Sequence, residues 1–131
     1  MKRLTTILFL ILTTQLNSFS QRRDEDIFEK VDSYPKFIYS GCNKTEDCVD
    51  LFVDNYKKWP PFEGSFKATI IIQCIVEKNG KLTNFKLLRG VEAHFDKASI
   101  DVLKIMPLWK PGKIKGKKVR TLITIRVKWD G

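Results

Sequence analysis

Two stretches of the chain repeat apolar residues at helical spacing. Residues 46–56 and 93–106 each place apolar side chains three or four positions apart over successive helical turns. This spacing gives the apolar stripe of an amphipathic helix. The stripes are Val49, Phe52, Val53 and Tyr56 in the first stretch, and Phe95, Ala98, Val102 and Met106 in the second. Proline follows each stretch, at Pro60 and Pro107, and ends it. The sequence therefore predicts two helices that each need an apolar surface to lie on.

Three stretches have the composition of β-strands, namely residues 66–78, 81–89 and 118–129. Asn79-Gly80 joins the first two and is a strong hairpin signal. A two-residue loop would place Cys74 opposite Phe85 and Ile72 opposite Leu87, whereas a longer turn would swap the faces. The predicted core face consists of Ile70, Ile72, Cys74, Val76, Phe85 and Leu87.

The last stretch alternates regularly between apolar and polar residues. Its polar face is expected to contain Lys118, Arg120, Leu122, Thr124, Arg126 and Lys128, so one side packs and the other is solvated. As the final strand it is expected at the edge of the sheet, where its cations either discourage aggregation or serve a docked partner. The predicted fold class is α+β, with two helices packed on one face of a three-stranded antiparallel sheet.

The N-terminus has the pattern of a secretory signal peptide over residues 1–20. Met1-Lys2-Arg3 precedes an apolar stretch, and small residues at Ser18 and Ser20 fit cleavage before Gln21. The apolar span from residue 4 to 16 is shorter than the roughly 20 residues that cross a bilayer, although a retained anchor is the alternative. We expect an extended N-terminal segment over 21–44 and a folded domain over 45–131, exported to the periplasm or beyond.

The net charge of +9 first suggests nucleic acid or an anionic membrane as a partner. The charge is concentrated at one end, because residues 104–131 contain nine basic residues against one acidic, whereas residues 21–103 contain 13 against 14. An exported protein rarely meets chromosomal DNA. We therefore expect no nucleic-acid partner and assign the charge to the final strand and the turn before it.

Export also affects the interpretation of the three cysteines, because an oxidising compartment favours disulfides. Cys42 and Cys48 lie six residues apart, and Thr45 is placed to cap a helix beginning at Glu46. A bridge between them would attach the incoming segment to the first helical turn, while two unpaired thiols are the alternative. Cys74 lies in an apolar strand and is predicted to be a buried free thiol.

The sequence contains little that would support catalysis or a cofactor. It has no phosphate-binding loop, nucleophile motif or metal-ligand spacing, and its single histidine, His94, is expected at the surface or in a helix cap. We therefore expect a protein that is not an enzyme and has no metal or cofactor.

The order of elements and several motifs resemble the C-terminal domain of TonB-type energy transducers, particularly short forms from Bacteroidetes-like envelopes. The most specific motif is Met106-Pro107-Leu108-Trp109-Lys110-Pro111-Gly112-Lys113, followed by Gly116-Lys117-Lys118-Val119-Arg120. Lys58-Trp59-Pro60, Val76-Glu77-Lys78-Asn79-Gly80-Lys81, Leu87-Leu88-Arg89-Gly90-Val91 and Phe95-Asp96-Lys97-Ala98 also match. The resemblance covers roughly residues 28–129.

The resemblance implies binding by β-augmentation, in which an extended segment of an outer-membrane TonB-dependent receptor, or of another envelope protein, pairs with an edge strand. The predicted partner-binding residues are Arg120, Leu122, Ile123, Thr124, Ile125, Arg126 and Lys128. Arg120, Arg126 and Lys128 are expected to steer an acidic or neutral partner.

Other functions remain open at the level of sequence. The protein could be an energy transducer that keeps residues 4–16 as an anchor, although no Pro-rich spacer is present. It could also be a secreted inhibitor or structural envelope protein with a contact patch formed by Ile71, Ile75, Leu82 and Leu88. An exposed edge strand also allows a homodimer.

Overall fold

A computed structural model describes residues 25–131, and the predicted signal peptide lies outside these residues. The helices are α1 (Thr45–Tyr56) and α2 (Ala93–Lys104). The strands are β1 (Ile27–Phe28), β2 (Lys67–Val76), β3 (Leu82–Arg89), β4 (Gly112–Ile114) and β5 (Lys117–Asp130). The two predicted helices and the three predicted strands are confirmed, each to within about two residues at its ends. No helix within residues 25–131 has the length and apolar character needed to cross a bilayer.

The sheet is mixed, which corrects the prediction of three antiparallel strands. Its order is β1-β5-β2-β3, with β1 parallel to β5, and β4 pairs with the start of β5. The prediction that β5 is the outermost strand of the sheet is wrong, because β1 pairs with β5 on the side away from β2. Strands of two and three residues are too short to leave an alternating pattern in the sequence, which is why both were missed.

The turn between β2 and β3 has three residues instead of the two expected from Asn79-Gly80. Glu77 and Lys81 close it, since the Glu77 N–H donates to the Lys81 carbonyl at 2.9 Å. A bulge at Asn84, whose φ is +53°, then takes up the extra residue, so that Ile72 lies opposite Leu87 as predicted. Because of this bulge, the longer turn does not exchange the two predicted faces of β2.

Gly80 meets two requirements of this turn at once. Its φ of +88° is unfavourable for other residues, and a Cβ would collide with the backbone oxygen of Trp109. The Trp109 N–H donates to the Gly80 carbonyl at 2.9 Å. The hairpin is thus attached to the loop that leads into β4.

The disulfide predicted between Cys42 and Cys48 is present, with the two Cα atoms 5.6 Å apart. The predicted capping role of Thr45 is wrong, because α1 begins at Thr45 itself and Lys44 occupies the cap position. The Thr45 hydroxyl accepts a hydrogen bond from the Phe37 N–H at 3.3 Å instead. Both contacts attach the N-terminal segment to α1.

The core lies between the two helices and one face of the sheet. The helix-facing residues Ile72, Cys74 and Val127 are fully buried, and Trp129 contacts Phe95 and Trp59 edge-on at 5.0 Å. Burial raises the pKa of the free Cys74 thiol to about 12. The buried hydrophobic residues are Phe37, Cys48, Val49, Phe52, Val53, Ile70, Ile72, Cys74, Ile75, Val76, Phe95, Val102, Leu103, Trp109, Ile125, Val127 and Trp129.

Residues 25–44 pack on the same core as the predicted domain over 45–131. Phe37 is 1% exposed, and its ring contacts Phe52 and Trp109 at centroid distances of 5.9 and 5.2 Å. Isolated bridges join Ser33 to Lys113 and Lys36 to Lys110. The folded unit therefore includes this segment.

Candidate binding edge of the final strand

The backbone of β5 alternates between the two sides of the strand. Phe66 and Gly131 exchange both of their backbone hydrogen bonds, so every second residue back from Gly131 bonds to β2. Those residues of β5 are odd-numbered. The even-numbered residues, including Thr124, Arg126 and Lys128, therefore direct their N–H and C=O groups away from β2.

This outward side of β5 is occupied at both ends. Near the start of β5, β1 pairs with Arg120 and Thr121 on this side. At the other end, the Lys57 ammonium donates to the Lys128 carbonyl at 2.7 Å and to Asp54 at 2.9 Å. Between these limits the outward backbone groups have no strand partner among residues 25–131.

A groove of about 560 Å³ lies along this unpaired edge. We call it the edge groove, and it is lined by Tyr34, Pro35, Thr45, Glu46, Val49, Asp50, Trp109, Ile123, Thr124, Ile125, Arg126 and Lys128. One wall is α1 and the other is β5. An extended segment placed here would face the exposed backbone of Thr124 and Arg126 and the apolar side chains of Val49 and Ile123.

The two walls of the edge groove have opposite charge. Glu46 and Asp50 lie on the α1 side, and Arg126 and Lys128 lie on the β5 side. The Lys128 ammonium is 3.8 Å from the Asp50 carboxylate, so an ion pair connects the two walls. Arg126 is exposed and has no ion pair within the described part of the chain.

Trp109 also lines the groove, and its side chain contains a buried polar group. The residue is 5% exposed, and its indole N–H is buried without a hydrogen-bond partner among the described residues. A buried unpaired donor costs roughly 1–3 kcal/mol.

Five of the seven predicted partner-binding residues line the groove, namely Ile123, Thr124, Ile125, Arg126 and Lys128. Leu122 lies opposite Ile75 of β2 and does not line it. Arg120 is held by Glu77, with nitrogen–oxygen distances of 2.7 and 3.2 Å, and also donates to the Glu25 carbonyl at 2.7 Å. This pairing lowers the pKa of Glu77 and raises that of Arg120, mainly through the hydrogen bond between them.

The contact patch expected from Ile71, Ile75, Leu82 and Leu88 is not formed. Ile75 is 2% exposed, Leu82 packs against the core, and only Leu88, at 47%, is well exposed. The three-residue turn explains part of this result, because it places Leu82 opposite Val76 and so directs Leu82 toward the core.

Several residues of the edge groove were missed by the sequence analysis. Glu46 and Asp50 follow the pattern of an ordinary solvated helix face. Lys57, which lies outside the groove but limits the free edge of β5, stands just beyond the end of α1. Their position beside β5 depends on how α1 packs, which helical periodicity does not specify. Trp109 belongs to the most specific family motif, and its place in the groove carried no separate signal.

Residues 65–130 match the sequence model of a protein family described as the Gram-negative bacterial TonB protein C-terminal. The match covers 66 of the 131 residues, so the chain belongs to this family. Comparison with curated proteins and with solved structures gives no match. The matched region contains all of β5 but not α1, and therefore only one wall of the edge groove.

Proposed function

We propose that this protein is a periplasmic binding module that takes up an extended segment of an outer-membrane TonB-dependent receptor, or of another envelope protein, along β5. Membership of the TonB C-terminal family supports interaction with envelope proteins. The observation that carries the proposal is the unpaired outward edge of β5 beside the edge groove. The role is binding, without catalysis or a cofactor.

The backbone contribution to this binding is limited by the number of available groups. Thr124 and Arg126 each offer an N–H and a C=O, and Lys128 offers only its N–H because Lys57 occupies its carbonyl. Five hydrogen bonds at about 1 kcal/mol each, with some apolar burial against Val49 and Ile123, favour a weak complex. We expect dissociation constants of roughly 10–500 μM for short peptides.

The side chains would set a preference among partners. Arg126 is free of ion pairs within the described residues and lies on the groove, so an acidic residue on the incoming strand would pair with it. Opposite charges across an interface mainly raise the association rate. Arg120 contributes less to such steering, since Glu77 already pairs with its guanidinium.

Proline substitution tests the proposed strand pairing. The Thr124 N–H points outward, so Thr124→Pro removes a donor for the partner while keeping the hydrogen bonds to β2. We expect at least about a tenfold loss of affinity for N-terminal peptides of outer-membrane receptors, measured by fluorescence anisotropy or NMR titration. Thr124→Ala is the matched control, because it removes the same side chain and keeps the N–H.

Ile123→Pro serves as the opposite control. The Ile123 N–H bonds to Cys74 of β2, so this substitution should lower stability as well as binding. Equal affinity of folded Thr124→Pro and the wild-type chain would contradict pairing along β5. Self-association through two β5 edges would appear as a concentration-dependent mass that the peptide reduces.

A further inference from the structure

The chain carries a second charged feature at the far end of β5. β4 and the start of β5 form a hairpin whose turn is Lys115-Gly116. Four of its six residues from 113 to 118 are exposed lysines, and we call this element the lysine hairpin: Lys113, Lys115, Lys117 and Lys118. None of the four has an ion pair with any residue from 25 to 131.

The lysine hairpin contains two local features that work against stability. Lys113 and Lys118 lie directly opposite each other across the two strands, and such like-charge pairs are destabilising. Lys115 has a φ of +50°, where Gly or Asn is preferred. Asp32 accepts the backbone N–H of Lys115 at 2.7 Å and forms no ion pair with the hairpin ammoniums. Breaks of this kind in local rules concentrate at functional sites.

The cations surround the tip of the hairpin. Lys113 and Lys118 share one face because they are directly paired, while Lys117 pairs with Ile114 and lies on the other face, and Lys115 forms the turn. A single acidic peptide would contact one face only. A layer of phosphate groups into which the tip inserts would contact all four lysines.

Nucleic acid fits the lysine hairpin less well than a lipid surface. Binding of single strands uses aromatic side chains as stacking platforms, and residues 112–118 contain none. We propose that the lysine hairpin binds the phosphate headgroups of an anionic lipid bilayer. Thr124 lies seven residues along β5 from Lys117, or ~23 Å, so the unpaired backbone groups of Thr124 and Arg126 lie outside the lysine hairpin. This binding is independent of the proposed function.

The test is cosedimentation of the full chain with lipid vesicles. The readout is the ratio of partitioning into vesicles with about 30% phosphatidylglycerol to partitioning into neutral phosphatidylcholine vesicles, because the ratio cancels apolar insertion by residues 4–16. We expect a ratio of at least about ten at about 0.1 M salt, falling toward one near 0.5 M. The variant K113Q/K115Q/K117Q/K118Q should bring the ratio within about twofold of one.

A matched control removes the same net charge elsewhere. K58Q/K81Q/K86Q/K104Q replaces four exposed lysines without ion pairs in the described structure, and it should keep at least about half of the wild-type ratio. The hairpin variant should melt no lower than the wild type, since it removes a like-charge pair. If it melts lower, the double variants K113Q/K118Q and K115Q/K117Q replace it. Each should lower the partitioning ratio about threefold.

Three results would overturn the inference. One is a wild-type ratio near one, and another is an equal loss in the hairpin and control variants, which would indicate a general charge effect. The third is tighter binding to duplex DNA than to anionic vesicles at equal phosphate concentration, which would favour nucleic acid.

Discussion

The indole of Trp129 lies in the middle of the core and depends on one hydroxyl group. Its N–H donates to Ser99 at 2.8 Å, and the Ser99 hydroxyl donates in turn to the Phe95 carbonyl at 2.7 Å. Ser99 is fully buried between α2 and the sheet. This small polar residue on an apolar helix face therefore has a structural role that the helical stripe did not reveal.

Ser99→Ala should destabilise the protein by about 1–3 kcal/mol, because it leaves the buried indole N–H of Trp129 unpaired. The measurement is the free energy of unfolding from urea denaturation. Ser65→Ala, at an exposed position without a side-chain hydrogen bond among the described contacts, is the control and should change the free energy by less than about 0.5 kcal/mol. A loss below that limit for Ser99→Ala would contradict the assigned hydrogen bond.

The Glu77–Arg120 ion pair connects β2 to β5 and the N-terminal segment. Both side chains are partly buried, at 22% exposure, and Thr83 also donates to the Glu77 carboxylate. Hydrogen bonding to Arg120 lowers the pKa of Glu77 below its ordinary value of 4.5. The stabilisation is thus present above about pH 4.5 and is lost as the pH falls through the lowered pKa of the folded state.

Glu77→Gln should lower stability at pH 7 by about 1–2 kcal/mol, and the difference from the wild type should shrink below pH 4.5. Urea denaturation at several pH values between 3 and 7 measures this. The exposed residue Glu63 provides the control Glu63→Gln, which should show no comparable pH-dependent difference. A difference that stays constant from pH 7 to pH 3 would mean that the ion pair does not contribute as described.

At the level of whole elements, hydrophobic periodicity predicted the long helices and strands and missed the two short strands. α1, α2, β2, β3 and β5 all carry apolar patterns of eight residues or more, and each was predicted close to its position. β1 and β4 have too few residues for a pattern. β4 pairs with the part of β5 that extends beyond β2, and β1 pairs with the side of β5 that faces away from β2.

The candidate site divides in the same way. The family resemblance implied that a partner binds along β5, and Ile123 through Arg126 line the groove because they follow one another in that strand. The α1 wall, the Lys57 contact with the Lys128 carbonyl and the occupation of Arg120 by Glu77 all join residues far apart in sequence. Such contacts depend on packing and register, and a β-bulge of one residue is enough to change them.

For the molecule as a whole, the main difference from the sequence analysis concerns where the folded unit begins. Residues 25–44 lack a helical or strand pattern, yet Phe37 is in the core, β1 extends the sheet, and the disulfide joins Cys42 to α1. Removing a buried Phe side chain alone costs about 3–5 kcal/mol. Typical domains have only about 5–15 kcal/mol of total stability, so this segment provides a large part of the total.

A chain beginning at Thr45 should therefore fail to fold cooperatively, whereas one beginning at Glu25 should unfold in a single transition. Circular dichroism and the dispersion of amide signals in NMR spectra distinguish the two results. Phe37→Ala in the chain from Glu25 separates core loss from loss of the whole segment, and it should remain folded with stability lower by about 3–5 kcal/mol. A native-like spectrum for the chain from Thr45 would place the boundary where the sequence alone put it. In that case Pro35 and Tyr34 would be dispensable for folding, and their position in the edge groove would concern binding alone.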